Sequence, residues 1–311
     1  MKIDLVYLWV DGNDPEWQAK LSAFTGENIE VNSARFKGRH IDSNELMFSL
    51  RSVEKNANWI NKIYIVTDNQ TPSWLNSLNP KVSIIDHKTI LSKQMLPCFN
   101  SNIIEHNLYK IPDLSEHFIY ANDDMFINKP VQPNVFFTNE GFPVIRFVWT
   151  PFRQFRMFLR GLIPNKVPLQ YRHIIVNASN LVKKKFGIYY SAMPHHNIDA
   201  YLKSDCKRVV EDIFKDEIGA TLINHIRNNS DIERVIYQYV ALAEKRGCLK
   251  YVNEKESLYV GIHKDKHFHK LIKKTPTFFC MNDNSCAKDI HRVRMKEYLE
   301  KSFPEKSSFE L

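Results

Sequence analysis

Residues 118–130 read FIYANDDMFINKP, and the fold turns on how this stretch is read. Phe118, Ile119, Tyr120 and Ala121 form an apolar run of strand-like composition that stops at Asn122-Asp123-Asp124. Two adjacent carboxylates are a costly ending for a buried strand: unit charges 4 Å apart repel by about 4 kcal/mol at an intermediate effective dielectric. Such a pair stays ionised only beside a cation or strong donors; otherwise one carboxyl keeps its proton. Hard oxygen clusters of this kind suit Mg²⁺ or Mn²⁺ bridging phosphate oxygens.

Three further runs of the same character lie upstream: LVYLWV (5–10), KIYIVT (62–67) and VSII (82–85). Near-continuous apolar runs fit strands covered on both faces, as in a parallel sheet. Between the first two lies a helical segment, with Asp42 as N-cap and Glu45 three residues on. Its Leu46, Leu50, Val53 and Ala57 share one face. The rhythm predicts an α/β fold, a mostly parallel Rossmann-like sheet flanked by helices. Each run is followed by aspartate: Asp11 and Asp14, then Asp68, Asp86, and finally Asp123 with Asp124. One such aspartate is ordinary turn chemistry. Four converging strand ends point to a ligand site beyond the carboxyl edge of the sheet.

The chain has 311 residues and a net charge of +8, which favours an anionic partner. The charge is uneven. Residues 141–198 contain no Asp or Glu and nine Lys and Arg, and read as a basic helical insertion. Inside it, PFRQFRMFLRGL (151–162) sets Phe152, Phe155, Leu159 and Leu162 at helical spacing beside Arg153, Arg156 and Arg160. Such a helix either packs on the domain with solvated arginines or docks on anionic lipid. No RNA- or DNA-binding motif accompanies the charge, so nucleic acid is not the expected partner.

Five cysteines form no CxxC pair, which suits free thiols in a reducing compartment. The start has no signal-peptide layout and no run approaches a membrane span, so the expectation is a cytoplasmic protein, peripheral to the inner membrane face through 151–162.

Residues 199–246 read as helical, with DIERVIYQYVALAEKRG closing at Gly247. TFFCMNDN (277–284) reads as a strand ending in a second cluster, Asn282-Asp283-Asn284, and IHRVRMKEYLEKSF (290–303) as a helix. The chain therefore divides into an α/β core (1–140), a basic, mainly helical segment carrying the His and Arg motifs (141–275), and a returning strand and helix (276–311). MPHH (193–196) offers His195 and His196 for proton transfer; adjacent histidines point in different directions, so one of the two reaches a site. HIRNNSDIE (225–233) offers Arg227, before a helix capped by Ser230 or Asn229, as a fork for phosphate oxygens.

These residues together resemble a known family. IDLVYLWVDGNDPEW (3–17) resembles the first signature region of the Stealth family of sugar-1-phosphate transferases. Residues 35–75 with 96–137, from RFKGRHIDSNELMFSL through FIYANDDMFINKP, resemble its long second region. MPHHNID (193–199) with RNNSDIERVIYQY (227–239) is similar to the third, and FFCMNDN (278–284) with FPEKSSFEL (303–311) to the fourth. The family often has Asn-Gly-Gln where this chain has Asp68-Asn69-Gln70.

The resemblance implies a GT-A-like sheet and a bacterial surface- or capsular-polysaccharide enzyme, related to the catalytic part of animal N-acetylglucosamine-1-phosphotransferase. It implies transfer of a hexose-1-phosphate or N-acetylhexosamine-1-phosphate from a UDP-sugar to a glycan hydroxyl, the glycan being free or lipid-linked, with release of UMP. In that reading Asp123 and Asp283 hold Mg²⁺ or Mn²⁺ on the diphosphate. Asp124 takes the acceptor's proton, or orients the hydroxyl if His195, or His196 in its place, takes it. Arg227 steadies the transferred phosphoryl group. Trp9, Asp11 and Asn13 contact the nucleotide, Arg51 and Arg35 the diphosphate, and Asn122 and Asn282 complete the donor site. The alternatives are a metal-dependent glycosyltransferase that releases UDP, a nuclease or phosphatase that needs no acceptor, and a nucleic-acid- or lipid-binding module.

Overall fold

The computed structural model describes residues 1–27, 33, 36, 38, 41–149, 152, 159 and 170–311. Its strands are β1 (Ile3–Leu8), β2 (Ile63–Thr67), β3 (Val82–Asp86), β4 (His117–Asn122), β5 (Met125–Ile127) and β6 (Val144–Val148). They continue with β7 (Met193–Pro194), β8 (Asp199–Leu202), β9 (Cys248–Tyr251), β10 (Ser257–Gly261) and β11 (Phe278–Asn282). The central sheet runs β3-β2-β1-β4-β8. Its first four strands are parallel and β8 is antiparallel to β4.

The four apolar runs form this sheet because both faces are covered. Val6, Tyr64, Val66, Phe118 and Tyr120 pack on one side with Phe147, Ile175 and Val240. Leu5, Tyr7, Ile63, Ile65 and Ile119 pack on the other with Leu46, Leu50 and Val53 of the helix Glu45–Asn56. Register places Leu5 between Ile63 and Ile119, so the middle strand is flanked by apolar partners.

The stretch 118–130 spans two sheets. β4 ends in the central one, and β5 pairs antiparallel with β11, itself parallel to β10, in a second. Asp123 and Asp124 form the turn between them. The Met281 N–H donates to the Asp124 carbonyl at 2.9 Å, which pins this turn to β11. A third sheet, β7-β6-β9, carries the chain toward the histidines.

Several expectations are corrected. The helix Glu45–Asn56 begins after Asn44, whose φ is +66°, and Asp42 is not its N-cap. Glu45 Oε2 accepts from Ser43 N at 2.6 Å, and Asp42 Oδ1 from Asn44 N at 3.2 Å. Residues 199–202, read as helical, are β8. The helix read from Asp231 spans Val235–Ala243, so neither Asn229 nor Ser230 caps it. Lys245 (φ +59°), rather than Gly247, takes the left-handed position after it. The amphipathic helix expected at 151–162, with Arg153, Arg156 and Arg160, lies outside the described residues apart from Phe152 and Leu159, and so does Arg35. Among the described residues no helix is long and apolar enough to cross a membrane.

Candidate active site

A cleft of about 340 Å³ opens at the carboxyl ends of β1, β2 and β4. That volume is within the range of small-ligand sites. Its polar end is lined by Asn122, Asp123, Asp124, Asn282, Arg227 and His196.

Asp124 is held from β11. Its Oδ2 accepts from the Cys280 thiol at 3.1 Å. Its Oδ1 is buried without a hydrogen-bond partner among the described residues. Burial lifts the Asp124 pKa to about 6, against the pull of the Cys280 and Asn282 donors. Asp123 Oδ1 accepts from the Asp124 N–H at 3.1 Å. Its carboxyl is pushed well above the usual range by burial and then by the charges of Asp124 and Asp42. Glu45, behind them, is raised by burial and by Asp123 and Asp42. Asp42 is raised by burial, with the Trp9 indole acting the other way. The residue read as a cap thus belongs to a patch of carboxylates that resist ionising together.

Among the described residues no three His, Cys, Asp or Glu side chains group to hold a metal ion. The donors instead suit a cation that takes one or two carboxylates and completes its shell with water and phosphate oxygens, as Mg²⁺ does. Asp123, raised by its neighbours' charge, is the carboxylate a divalent ion would relieve. The amide oxygens beside it are engaged: Asn122 Oδ1 accepts from Tyr120 Oη at 2.6 Å and Asn282 Oδ1 from Tyr259 Oη at 2.7 Å.

The cationic side of the cleft is Arg227, hydrogen-bonded to Ser101 Oγ, and Arg234. Arg234 meets Glu105 at 3.1 Å and Glu233 at 3.0 Å, and lies 4.5 Å above the Tyr120 ring. Burial works against its charge, but Glu105 and Glu233 outweigh it and hold the guanidinium firmly protonated.

Adjacent His195 and His196 go to different places. His196 has φ +54°, a left-handed conformation uncommon outside glycine, which turns its ring into the cleft between Tyr171 and Tyr259. Burial and then Arg234 press its pKa down to about 4, so the ring is neutral at physiological pH. His195 is buried outside the cleft lining, its Nδ1 2.8 Å from Ser257 Oγ and its Nε2 3.2 Å from Asp199 Oδ1.

Of the residues singled out from sequence, the cleft gathers Trp9, Asn122, Asp123, Asp124, Arg227 and Asn282. Asp11, Asn13, Arg51, His195 and Asp283 do not line it. Asp283 is clamped by Arg292 Nε at 2.7 Å and Nη2 at 3.2 Å. Arg51 is bidentate to Glu310 at 2.8 and 2.6 Å, tying the C-terminal segment to the helix Glu45–Asn56. Asp11 closes its own loop, accepting from Asn13 N at 2.8 Å and Nδ2 at 2.9 Å. Sequence reasoning missed Arg234, Glu105, Glu233 and His87. The Glu233-Arg234 pair inside an apolar segment was the available signal for those two residues.

Two regions of one family match the chain: Stealth protein conserved region 1 over residues 1–29 and conserved region 2 over residues 39–145. A capsular polysaccharide phosphotransferase of Neisseria meningitidis serogroup B is 34% identical over 298 residues, covering 91% of this chain and 77% of the relative. Another from Streptococcus pneumoniae is 31% identical over 338 residues, covering 100% and 99%. Among solved structures, the galactosyltransferase LgtC with donor and acceptor sugar analogues aligns over 98% of both chains, at a TM-score of 0.45 and 11% identity. With relatives above 30% identity matched along nearly its whole length, the chain belongs to the Stealth family.

Proposed function

We propose that the chain transfers a hexose-1-phosphate or N-acetylhexosamine-1-phosphate from a UDP-sugar to a glycan hydroxyl, forming a phosphodiester in surface polysaccharide synthesis. The observation that carries this reading is that the Asp123-Asp124 turn shares one cleft with Arg227, Arg234 and a neutral His196. The family's relatives named as polysaccharide phosphotransferases support a transferase acting on sugar phosphate.

The acceptor oxygen attacks the β-phosphorus, to which the sugar is attached. The new O–P bond forms as the bridging P–O bond breaks, and UMP leaves with the electron pair. Such a transfer asks the protein mainly for positioning and charge stabilisation. Asp124 Oδ1, buried and unpartnered, takes the acceptor's proton, and His196 orients the hydroxyl. Arg227 stabilises charge on the transferred group. A divalent cation held by Asp123 would neutralise the diphosphate. An acceptor carried on lipid would bring the basic 141–198 segment to an anionic membrane face, and co-sedimentation of an Arg153/Arg156/Arg160 triple alanine variant with anionic liposomes tests that.

The deciding experiment mixes the purified chain with Mg²⁺, a UDP-sugar panel and a glycan acceptor, and identifies the nucleotide released. UMP with phosphorus retained in the glycan supports the proposal. UDP would mean transfer of the sugar alone.

A further inference from the structure

The cleft has a second end that the transfer chemistry leaves unused. His87, directly after β3, lines it together with Val66, Trp17, Cys98 and Phe99. The residue is only 6% exposed, yet its Nδ1 has no hydrogen-bond partner among the described residues. Thr67 Oγ1, in register with Asp86 on the neighbouring strand, is buried and unpartnered too. Unsatisfied buried polar atoms are expensive and rare, and one lining a ligand-sized cleft marks where a ligand supplies the missing partner.

The chemistry around the His87 ring is not that of a phosphate site; Arg227, which follows Ile226, the bridge partner of Phe99, is hydrogen-bonded to Ser101 Oγ. Burial holds the His87 pKa down to about 4, so the ring is neutral, with one nitrogen donating and the other accepting. Of the charges that act on the ring, Lys20 and Asp68 are paired with each other at 2.6 Å, and Asp86 Oδ1 accepts from the Lys88 N–H at 2.7 Å. The walls are apolar and aromatic, with Trp17 and Phe99 meeting edge to face at 5.7 Å. A ligand that fits has a flat apolar face and a polar edge, which describes a heterocyclic base.

The spacing agrees. In the order β3-β2-β1-β4, His87 and the Asp123-Asp124 turn follow strands three spacings apart. At about 4.8 Å per spacing that is roughly 14 Å across the sheet, comparable to an extended nucleoside diphosphate measured from base to β-phosphate. We infer that the His87 end of the cleft is a nucleobase subsite, where His87 hydrogen-bonds the edge of the donor's base and Trp17 and Phe99 border its face. This rests on the nucleotide-sugar reading above and adds to it a residue that reads the base.

The test compares UMP with ribose 5-phosphate, which keeps the sugar and phosphate but has no base, by calorimetric titration of the full chain and of His87→Ala. The unaltered chain should bind UMP at least about tenfold more tightly. In His87→Ala, UMP should weaken about tenfold while ribose 5-phosphate stays within about twofold. Equal loss for both ligands, or for neither, overturns the subsite. Should His87→Ala fail to fold, N3-methyl-UMP on the unaltered chain carries the same test, and affinity equal to that of UMP overturns it. A chain that binds AMP or GMP but not UMP overturns the UDP-sugar donor and leaves the subsite standing. Failure to bind any nucleotide overturns both.

Discussion

The Cys280 thiol donates to Asp124 Oδ2 across 3.1 Å, joining β11 to the turn after β4 over 156 residues of sequence. One Asp124 oxygen is thereby fixed while the other stays unpaired within the cleft. If Oδ1 takes the acceptor's proton, Asp124→Asn lowers kcat by at least about a hundredfold, in line with general base terms of 10²–10⁴. Circular dichroism of the variant should match that of the parent. A folded Asp124→Asn enzyme with an unchanged rate would move the role to His196.

The two histidines should separate in their effects. His195→Ala removes a partner from buried Asp199 and Ser257, an expected loss of about 1–3 kcal/mol, seen as a melting temperature several degrees lower. His196→Ala should melt close to the parent and lose at least about tenfold in kcat. The reverse pattern would return the proton-handling role to His195.

Divalent-ion dependence is the third expectation. Chelation with EDTA should abolish turnover, and Mg²⁺ or Mn²⁺ should restore it. Asp123→Asn should raise the Mg²⁺ concentration for half-maximal rate by about tenfold or more, whereas Asp283→Asn should shift it little, because Arg292 already occupies that carboxylate. Full activity in EDTA would remove the cation from the mechanism.

Much of this was legible in the sequence, for identifiable reasons. Strands β1 to β4 were readable because a parallel sheet covered on both faces demands unbroken apolar runs. β8 was not, because it opens with Asp199, whose charge is met by Arg234 at 3.7 Å from a distant segment, with the His195 ring 3.2 Å away. β5 is three residues long and takes its meaning from pairing with β11. The Asp123-Asp124 pair stood out because carboxylates rarely end a buried strand. The choice between His195 and His196 rests on one positive φ. Arg234 and Glu105, 129 residues apart, meet only after folding, and no local spacing announces the pairing.

Arg51 illustrates the same limit, and its placement predicts a stability effect. Read as a diphosphate contact, it instead pairs with Glu310, whose carboxylate is almost fully buried, and donates to the Phe303 carbonyl at 3.0 Å. Arg51→Ala should cost about 3 kcal/mol or more in urea unfolding, as breaking one side of a buried pair does. The donor KM should stay within about twofold of the parent. A large rise in donor KM without loss of stability would restore the diphosphate role.

Glu233 gives the pH expectation. Burial raises its pKa to about 7; Arg234 acts the other way and the Glu105 charge adds to the rise. Below about pH 4.5, the group's ordinary value, Glu233 is protonated in both folded and unfolded chains and makes no pH-dependent difference. Between pH 4.5 and 7 the unfolded chain ionises first, so stability from this group falls as pH rises and levels off above 7. Glu233→Gln, which keeps the shape and cannot ionise, removes that slope. Its unfolding free energy relative to the parent should therefore improve between pH 4.5 and 8, by at most about 3 kcal/mol at 1.36 kcal/mol per pKa unit. Loss of the Glu233 bond to the Val235 N–H adds an offset that does not vary with pH and so leaves the slope readable. Urea titrations of both proteins at the two pH values measure it. A difference that is flat or falls with pH would show that Arg234 keeps Glu233 ionised throughout, with the buried cluster carrying its full negative charge.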